Sequence, residues 1–319
     1  MSESLKSKSS KLGSLVLILL LLLLAVTGCN DDDKDDDSSD SKNATPETFT
    51  VGLLLSDLSN PFFVSVQEGA QSAATRLGIT LVVEDAKNDV ATQITQAQNL
   101  IAQPVNALLI NPVDGDGIVP AIQAANAAGI PVFTIDRSAS GGDVVAHVAS
   151  DNVAGGSMAA EYLATNINSA GNVVELQGIE GTSAAQDRGR GFNEKIATYA
   201  DIDVIVQQTA NFSREEGKTV FAQILADNPE IAGVFAHNDE MILGAIDAAK
   251  EAGRAADIKF VGFDGTEGAI EAIDAGDLLA TIAQQPAEMG RIGVETADKV
   301  LKGETVESYI PVDLAVISR

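Results

Sequence analysis

A regular alternation constrains this chain more than any other feature. Short, continuous apolar runs recur at 49–55, 80–84, 107–110, 132–135, 172–176, 203–207, 233–235, 258–262 and 279–282. Helix-length segments lie between them, at 62–77, 90–103, 117–128, 184–199, 214–226 and 240–252. An apolar run without polar alternation has both faces covered, as in a parallel sheet between helical layers. Glycines follow several helical segments, as at Leu77-Gly78, Ala128-Gly129 and Ala252-Gly253, where a left-handed residue stops a helix. The alternation predicts an α/β, doubly wound architecture. An internal repeat predicts two such bodies. Asn106-Ala-Leu-Leu-Ile-Asn-Pro leads through Ala121-Ile-Gln-Ala-Ala-Asn-Ala-Ala-Gly129 to an apolar run ending in Asp136. Ile231-Ala-Gly-Val-Phe-Ala-His-Asn leads through Ala245-Ile-Asp-Ala-Ala-Lys-Glu-Ala-Gly253 to a run ending in Asp264.

Open α/β sheets bind ligands outside the carboxyl ends of their strands. The residues that follow the predicted strands are polar or aromatic: Ser56, Asn60, Phe62 and Phe63; Asp136 and Arg137; Arg188; Phe212; Asn238; Asp264; Gln284. Planar groups with paired donors or acceptors, beside aromatic faces, suit a neutral polyhydroxy ligand, because each hydroxyl donates once and accepts twice. The chain has no Trp, so Phe62, Phe63 and Phe212 must cover the apolar faces of a ring. Each residue also has a plainer role. Asn60 before Pro61 reads as a helix N-cap, Asn238 or Asp239 as a cap of the next helix, Asp264-Gly265 as a turn, and Asp136-Arg137 as a surface ion pair. Phe62 and Phe63 are adjacent on a helix, so they are not expected to face one core together.

Catalytic patterns are absent from the sequence. No Gly-x-Gly-x-x-Gly follows the first strand, and there is neither a Walker-type Gly-Lys-Ser nor a Gly-x-Ser-x-Gly elbow. The sole cysteine and two histidines, His147 and His237, give no metal-ligand cluster. His147 reads as a strand residue, and His237 has no Ser or Cys partner. Asp136 and Asp264 could pair as acid and base in glycoside hydrolysis. With Arg137 and Arg188 near them both are expected to stay ionised, which suits binding.

Residues 1–28 read as a secretory signal: Lys6, Lys8 and Lys11 precede an apolar run from 12 to 26 and then Thr27-Gly28-Cys29. The run is short for a membrane-spanning helix. Val-Thr-Gly-Cys resembles the bacterial lipobox, which implies cleavage before Cys29 and lipid on it. Residues 29–47 read as a solvated acidic tether, with seven aspartates against Lys34 and Lys42. An EF-hand reading fails there, for want of the loop glycine and closing glutamate. The formal net charge is −26, which disfavours nucleic acid or anionic lipid as the main partner.

The body from 49 onward resembles the type I periplasmic sugar-binding family, its ribose-binding branch in particular. The likeness rests on Ser-Asn-Pro-Phe-Phe (59–63), Leu-Leu-Ile-Asn-Pro (108–112), Ile-Asp-Arg (135–137), Ala-Ser-Asp-Asn (149–152) and Glu-Leu-Gln-Gly (175–178). Gly-Thr-Ser-Ala-Ala (181–185), Asn-Asp-Glu-Met (238–241), Val-Gly-Phe-Asp-Gly-Thr (261–266), Ala-Thr-Ile-Ala-Gln (280–284) and the segment 293–304 continue it in the same order. The resemblance implies two similar doubly wound parallel-sheet lobes joined by a three-stranded hinge, with crossings near 150–151, 284–285 and 313–314. The first lobe would span 48–150 plus 285–313, the second 151–284 plus 314–319. The implied ligand contacts are Ser56, Asn60, Phe62, Phe63, Asp136, Arg137, Arg188, Phe212, Asn238, Asp264 and Gln284. Around Arg188 the sequence departs from the family pattern, so Arg190 is the alternative fork. The resemblance further implies a monomeric, non-enzymatic, extracytoplasmic and lipid-anchored subunit of a sugar ABC importer. D-ribose would be its ligand, a permease and ATPase its partners, and no cofactor would be needed. Another pentose, allose or a furanose-like ligand fits the same pattern, as does a sensory role reporting to a chemoreceptor or kinase.

Overall fold

The computed structural model describes residues 48–319; the signal, the tether and Cys29 lie outside them. In chain order, β1 (Thr50–Leu55), α1 (Pro61–Leu77), β2 (Thr80–Asp85), α2 (Val90–Ile101), β3 (Ala107–Ile110), α3 (Val119–Ala127), β4 (Val132–Ile135) and β5 (Ala146–Ala149) come first. Next are α4 (Asn152–Asn166), β6 (Ala170–Gln177), α5 (Ser183–Ile196), β7 (Asp201–Thr209), α6 (Arg214–Asp227), β8 (Gly233–Ala236) and α7 (Asp239–Glu251). Then follow β9 (Lys259–Asp264), α8 (Glu267–Ala275), β10 (Ala280–Ala283), α9 (Pro286–Leu301), β11 (Tyr309–Pro311) and β12 (Ala315–Ser318).

Two six-stranded sheets result, ordered β11-β5-β4-β3-β1-β2 and β12-β10-β9-β8-β6-β7. The two orders are the same wiring twice. The repeated sequence segments are β3-α3-β4 and β8-α7-β9, equivalent units of the two lobes. All pairings are parallel except β12, which runs antiparallel to β10 at its edge. Strands β3, β4, β8 and β10 are buried at every residue, which explains their unbroken apolar sequence. The chain passes from one sheet to the other after β5, after β10 and between β11 and β12. These crossings are the three-stranded hinge of a type I periplasmic binding fold.

Polar side chains start the helices at the strand ends. Asn60 accepts a hydrogen bond from the Phe62 N–H, Thr182 from Ala185, Asn238 from Met241 and Thr266 from Ala269, so each satisfies an orphan donor of a first turn. Helices α1 and α9 pack on one sheet with no room for a side chain where they cross. A Cβ built on Gly290 of α9 falls 2.0 Å from the Val66 carbonyl oxygen of α1. Gly290→Ala is therefore expected to force the two helices apart at a cost of about 1–3 kcal/mol, read as a lower urea midpoint. An unchanged midpoint would show that the helices separate freely.

Candidate functional site

The carboxyl ends of both sheets face a common cleft, and one small pocket lies between them. It is lined by Asn60, Phe62, Phe63, Asp136 and Arg137 from the first lobe. Ala184, Arg188, Phe212, Asn238 and Asp264 line it from the second, and Gln284 from the crossing after β10. Its free volume is about 10 Å³, room for about one water. It shares Asn60, Phe63, Arg137 and Phe212 with an outer vestibule of about 600 Å³, where Asp57, Glu215, Glu216 and Glu240 also lie.

On the first lobe, Asn60 serves as helix cap and pocket wall together: its side-chain oxygen takes the Phe62 N–H at 2.9 Å. Phe62 and Phe63 belong to one core cluster and both line the pocket, contrary to the expectation that adjacent residues must diverge. The first turn of α1 sits where core and cleft meet, and the rings lie edge to face, 5.2 Å apart at 89°. Asp136 is not at the surface but 3% exposed, as is Arg137. It sits in the left-handed region at φ 61°, and its Oδ2 accepts from Asn111 Nδ2 at 3.1 Å. The same amide donates to the Ile135 carbonyl and accepts from the Ser56 N–H. The Arg137 guanidinium lies 5.3 Å from the Phe63 ring centre and 5.1 Å from that of Phe212, within cation–π range. Its Nη1 donates to the Pro112 carbonyl at 3.3 Å, while its buried Nε has no hydrogen-bond partner. Burial pulls this guanidinium below its ordinary value, against the pull of Asp136.

On the second lobe, Arg188 is the hub. Its Nε donates to Asn152 Oδ1 at 2.8 Å, its Nη1 to the His237 carbonyl at 2.6 Å and to Asp264 Oδ1 at 3.4 Å. Its Nη2 reaches across the cleft to within 4.0 Å of Asp136 Oδ1. Its guanidinium lies 3.9 Å from the Phe263 ring centre. Arg190, the alternative fork, is exposed and pairs with Asp187 at 2.9 Å, outside the pocket. Asp264 is held at φ 124° and accepts from Gln284 Nε2 at 2.8 Å; the Gln284 Oε1 is buried without a partner. Burial drives the Asp264 carboxyl well up, with the charge of Arg188 opposing it. Burial and the Arg188 guanidinium thus act in opposite directions on this carboxyl, and burial is the larger of the two. Asn238 caps α7 through its oxygen and donates its Nδ2 to the Phe212 carbonyl at 3.2 Å. Phe212 itself is left-handed, at φ 58°.

Ser56 is the sequence-predicted residue that does not reach the pocket: it is fully buried, behind Asn111. His237 turns its ring away from the cleft. Its Nε2 lies 2.7 Å from Glu175 Oε1, and its Nδ1 accepts from the Gly178 N–H, which assigns the proton to Nε2. Burial keeps this imidazole below its usual value. Burial also works to raise Glu175, but hydrogen bonds from His237, Asn193 and Gln207 prevail and hold it low. Four participants have no role assigned from sequence: Asn111 and Asn152, which orient Asp136 and Arg188; Phe263 beneath Arg188; and Ala184 on the wall. Asn111 directly follows β3 and Asn152 opens α4, so the strand-end rule that picks out the others extends to both.

Two α/β lobes of identical wiring, hinged by three crossings around a buried polar and aromatic pocket, define a solute-binding protein. Residues 51–305 match the periplasmic binding protein domain, and the chain belongs to that family. It is 48% identical to the ribose import binding protein RbsB of Escherichia coli over 268 residues, 84% of this chain and 90% of that protein. It is 44% identical to the RbsB of Bacillus subtilis over 274 residues, 86% and 88% of the two chains. A periplasmic solute-binding protein of an ABC transporter from Actinobacillus succinogenes, solved with bound D-allose, superposes with a TM-score of 0.81 at 33% identity. That match covers 85% of this chain and 98% of the other. Among the described residues no helix is long and apolar enough to cross a membrane, and no cluster of His, Cys, Asp or Glu could hold a metal ion.

Proposed function

We propose that this chain is the extracytoplasmic sugar-binding subunit of an ABC importer and takes D-ribose in the pocket between its lobes. The observation that carries the reading is a pair of buried polar atoms without partners on its wall, Arg137 Nε and Gln284 Oε1. A buried donor and a buried acceptor left unpaired each cost about 1–3 kcal/mol, and one sugar hydroxyl or two can satisfy both. Asp136, Arg188, Asn238, Asp264 and Asn60 supply further hydroxyl partners, and Phe62, Phe63 and Phe212 the apolar faces. The 44–48% identity to ribose import binding proteins supports ribose over allose. The acidic vestibule supports a neutral sugar over a phosphorylated one.

The pocket is walled by both lobes, so the ligand enters when they part about the hinge, the mode of closure of periplasmic binding proteins. The first lobe is 48–150 with 285–313, the second 151–284 with 314–319. Parting breaks the hydrogen bond from the Ser138 N–H to Ser183 Oγ (2.9 Å) and that from the Gly115 N–H to the Gly181 carbonyl (3.3 Å), and ligand closure restores them. The closed form is what a permease with its ATPase would read. No reaction is catalysed. Lipid on Cys29 and the acidic tether would keep the protein beside that permease, since a secreted chain would otherwise diffuse away.

A thermal-shift panel of ribose, allose, arabinose and myo-inositol tests the ligand. A ligand that binds only the native state raises the melting temperature, so ribose should give the largest rise at equal concentration. A larger rise with allose or myo-inositol would replace ribose as the ligand, and no rise with any would remove the sugar reading.

A further inference from the structure

Asp239 lies outside the pocket, yet it is 0% exposed. It is the first residue of α7, whose cap is already supplied by Asn238, so capping does not explain a buried carboxylate there. Its hydrogen bonds all run to one place. Its Oδ2 accepts from the Thr266 N–H at 2.8 Å and from Thr266 Oγ1 at 3.1 Å. Its Oδ1 accepts from Thr281 Oγ1 at 2.7 Å, and that hydroxyl oxygen in turn accepts the Gly265 N–H at 3.2 Å. The two residues so gripped, Gly265 and Thr266, directly follow Asp264. The backbone of Asp264 has φ 124°, a conformation that persists for a non-glycine residue only when its surroundings impose it.

We propose that Asp239 is a positioning residue for the cleft: through Thr266 and Thr281 it clamps the turn after β9 and holds Asp264 with its carboxylate aimed at Arg188 and Gln284. This rests on the sugar-binding reading above. Burial pushes the Asp239 carboxyl up to about 7, against the hydrogen bonds from Thr266, Thr281 and Gly265 that lower it. A buried acid is a costly way to hold a turn, and its proximity to Asp264 makes that cost intelligible as a requirement of the site.

A double-mutant cycle on the intact protein tests the assignment, with ribose titrated calorimetrically, or whichever sugar of the panel binds if ribose does not. Asp239→Ala and Thr281→Val should each lower affinity about tenfold, and each should change it less than about twofold in an Asp264→Ala background, because the clamp acts only through Asp264. Asp239→Asn keeps an oxygen for the Thr266 N–H and should restore most of the affinity that alanine removes. If the folded variants bind sugar like the parent, or lose as much without Asp264 as with it, Asp239 is no positioning residue. Should Asp239→Ala fail to fold, Thr281→Val reads the same clamp at nearly constant volume. A parent chain that binds no sugar of the panel overturns the functional reading and the clamp together.

Discussion

Replacing Arg188 by methionine should abolish measurable sugar binding and lower stability as well. Methionine keeps the apolar length of the side chain over Phe263 but removes every donor. The Asn152 oxygen, the His237 carbonyl and the Asp264 carboxylate each lose a bond, and Asp136 loses the cation that faces it across the cleft. Breaking a buried charge pair by deleting one partner costs about 3–5 kcal/mol. Part of that cost can be relieved at Asp264, whose carboxyl burial already drives upward, since it can take up a proton and become neutral. Asp136 keeps Arg137 at 3.8 Å. The stability loss should therefore fall at the low end of that range, while the affinity loss should exceed about a hundredfold, because the donor fork meant for hydroxyls is lost together with its hold on Asp264. Calorimetry reads the affinity and urea unfolding the stability. Retained ribose binding would show that Arg188 braces the pocket wall without touching the ligand.

Much of the fold is legible from the alternation because burial on both faces leaves an unbroken apolar run. Most of what escapes it lacks that cause. β11 and β12 are short edge strands of largely exposed residues, Tyr309-Ile-Pro and Ala315-Val-Ile-Ser, and an edge need not be apolar on two faces. α4 opens Asn-Val-Ala-Gly-Gly-Ser, and paired glycines weaken a helical signal. The structure gives their reason: a Cβ on Gly156 would fall 2.1 Å from the Arg188 carbonyl oxygen, so α5 packs on α4 backbone to backbone. The glycines that hide the helix from a sequence reading thus seat the helix that carries Arg188.

The pocket is legible to a different depth. Strand-end position brings ten of the eleven sequence-selected residues around one pocket, with Ser56 outside its lining. Position does not say which way a side chain turns. His237 follows β8 as Asn238 does, but its ring points back to Glu175 and only its carbonyl serves Arg188. Nor does it reveal the supporting amides. Asn111 and Asn152 act by meeting charged partners 25 and 36 residues away in sequence, contacts that only the closed sheet order creates.

Asp264→Ala should lower ribose affinity at least about tenfold, and comparison with Asp264→Gly separates the carboxylate from the backbone beneath it. Loss of the carboxylate leaves the Gln284 amide without its acceptor and frees Arg188 Nη1 from one of its two partners. Sugar hydroxyls would then meet donors that are no longer held in place. An unpaired buried polar group costs about 1–3 kcal/mol, which at about 1.4 kcal/mol per decade is about fivefold to a hundredfold for each of the two donors that lose their acceptor. Alanine retains a Cβ and so retains the strain of φ 124°, whereas glycine adopts that conformation freely. Both variants should lose affinity alike, and the glycine variant should be the more stable of the two by about 1 kcal/mol. If the glycine variant instead binds ribose like the parent, the left-handed turn itself, through its backbone groups, is what recognises the sugar. If the two variants are equally stable, the turn carries no strain for the clamp at Asp239 to hold.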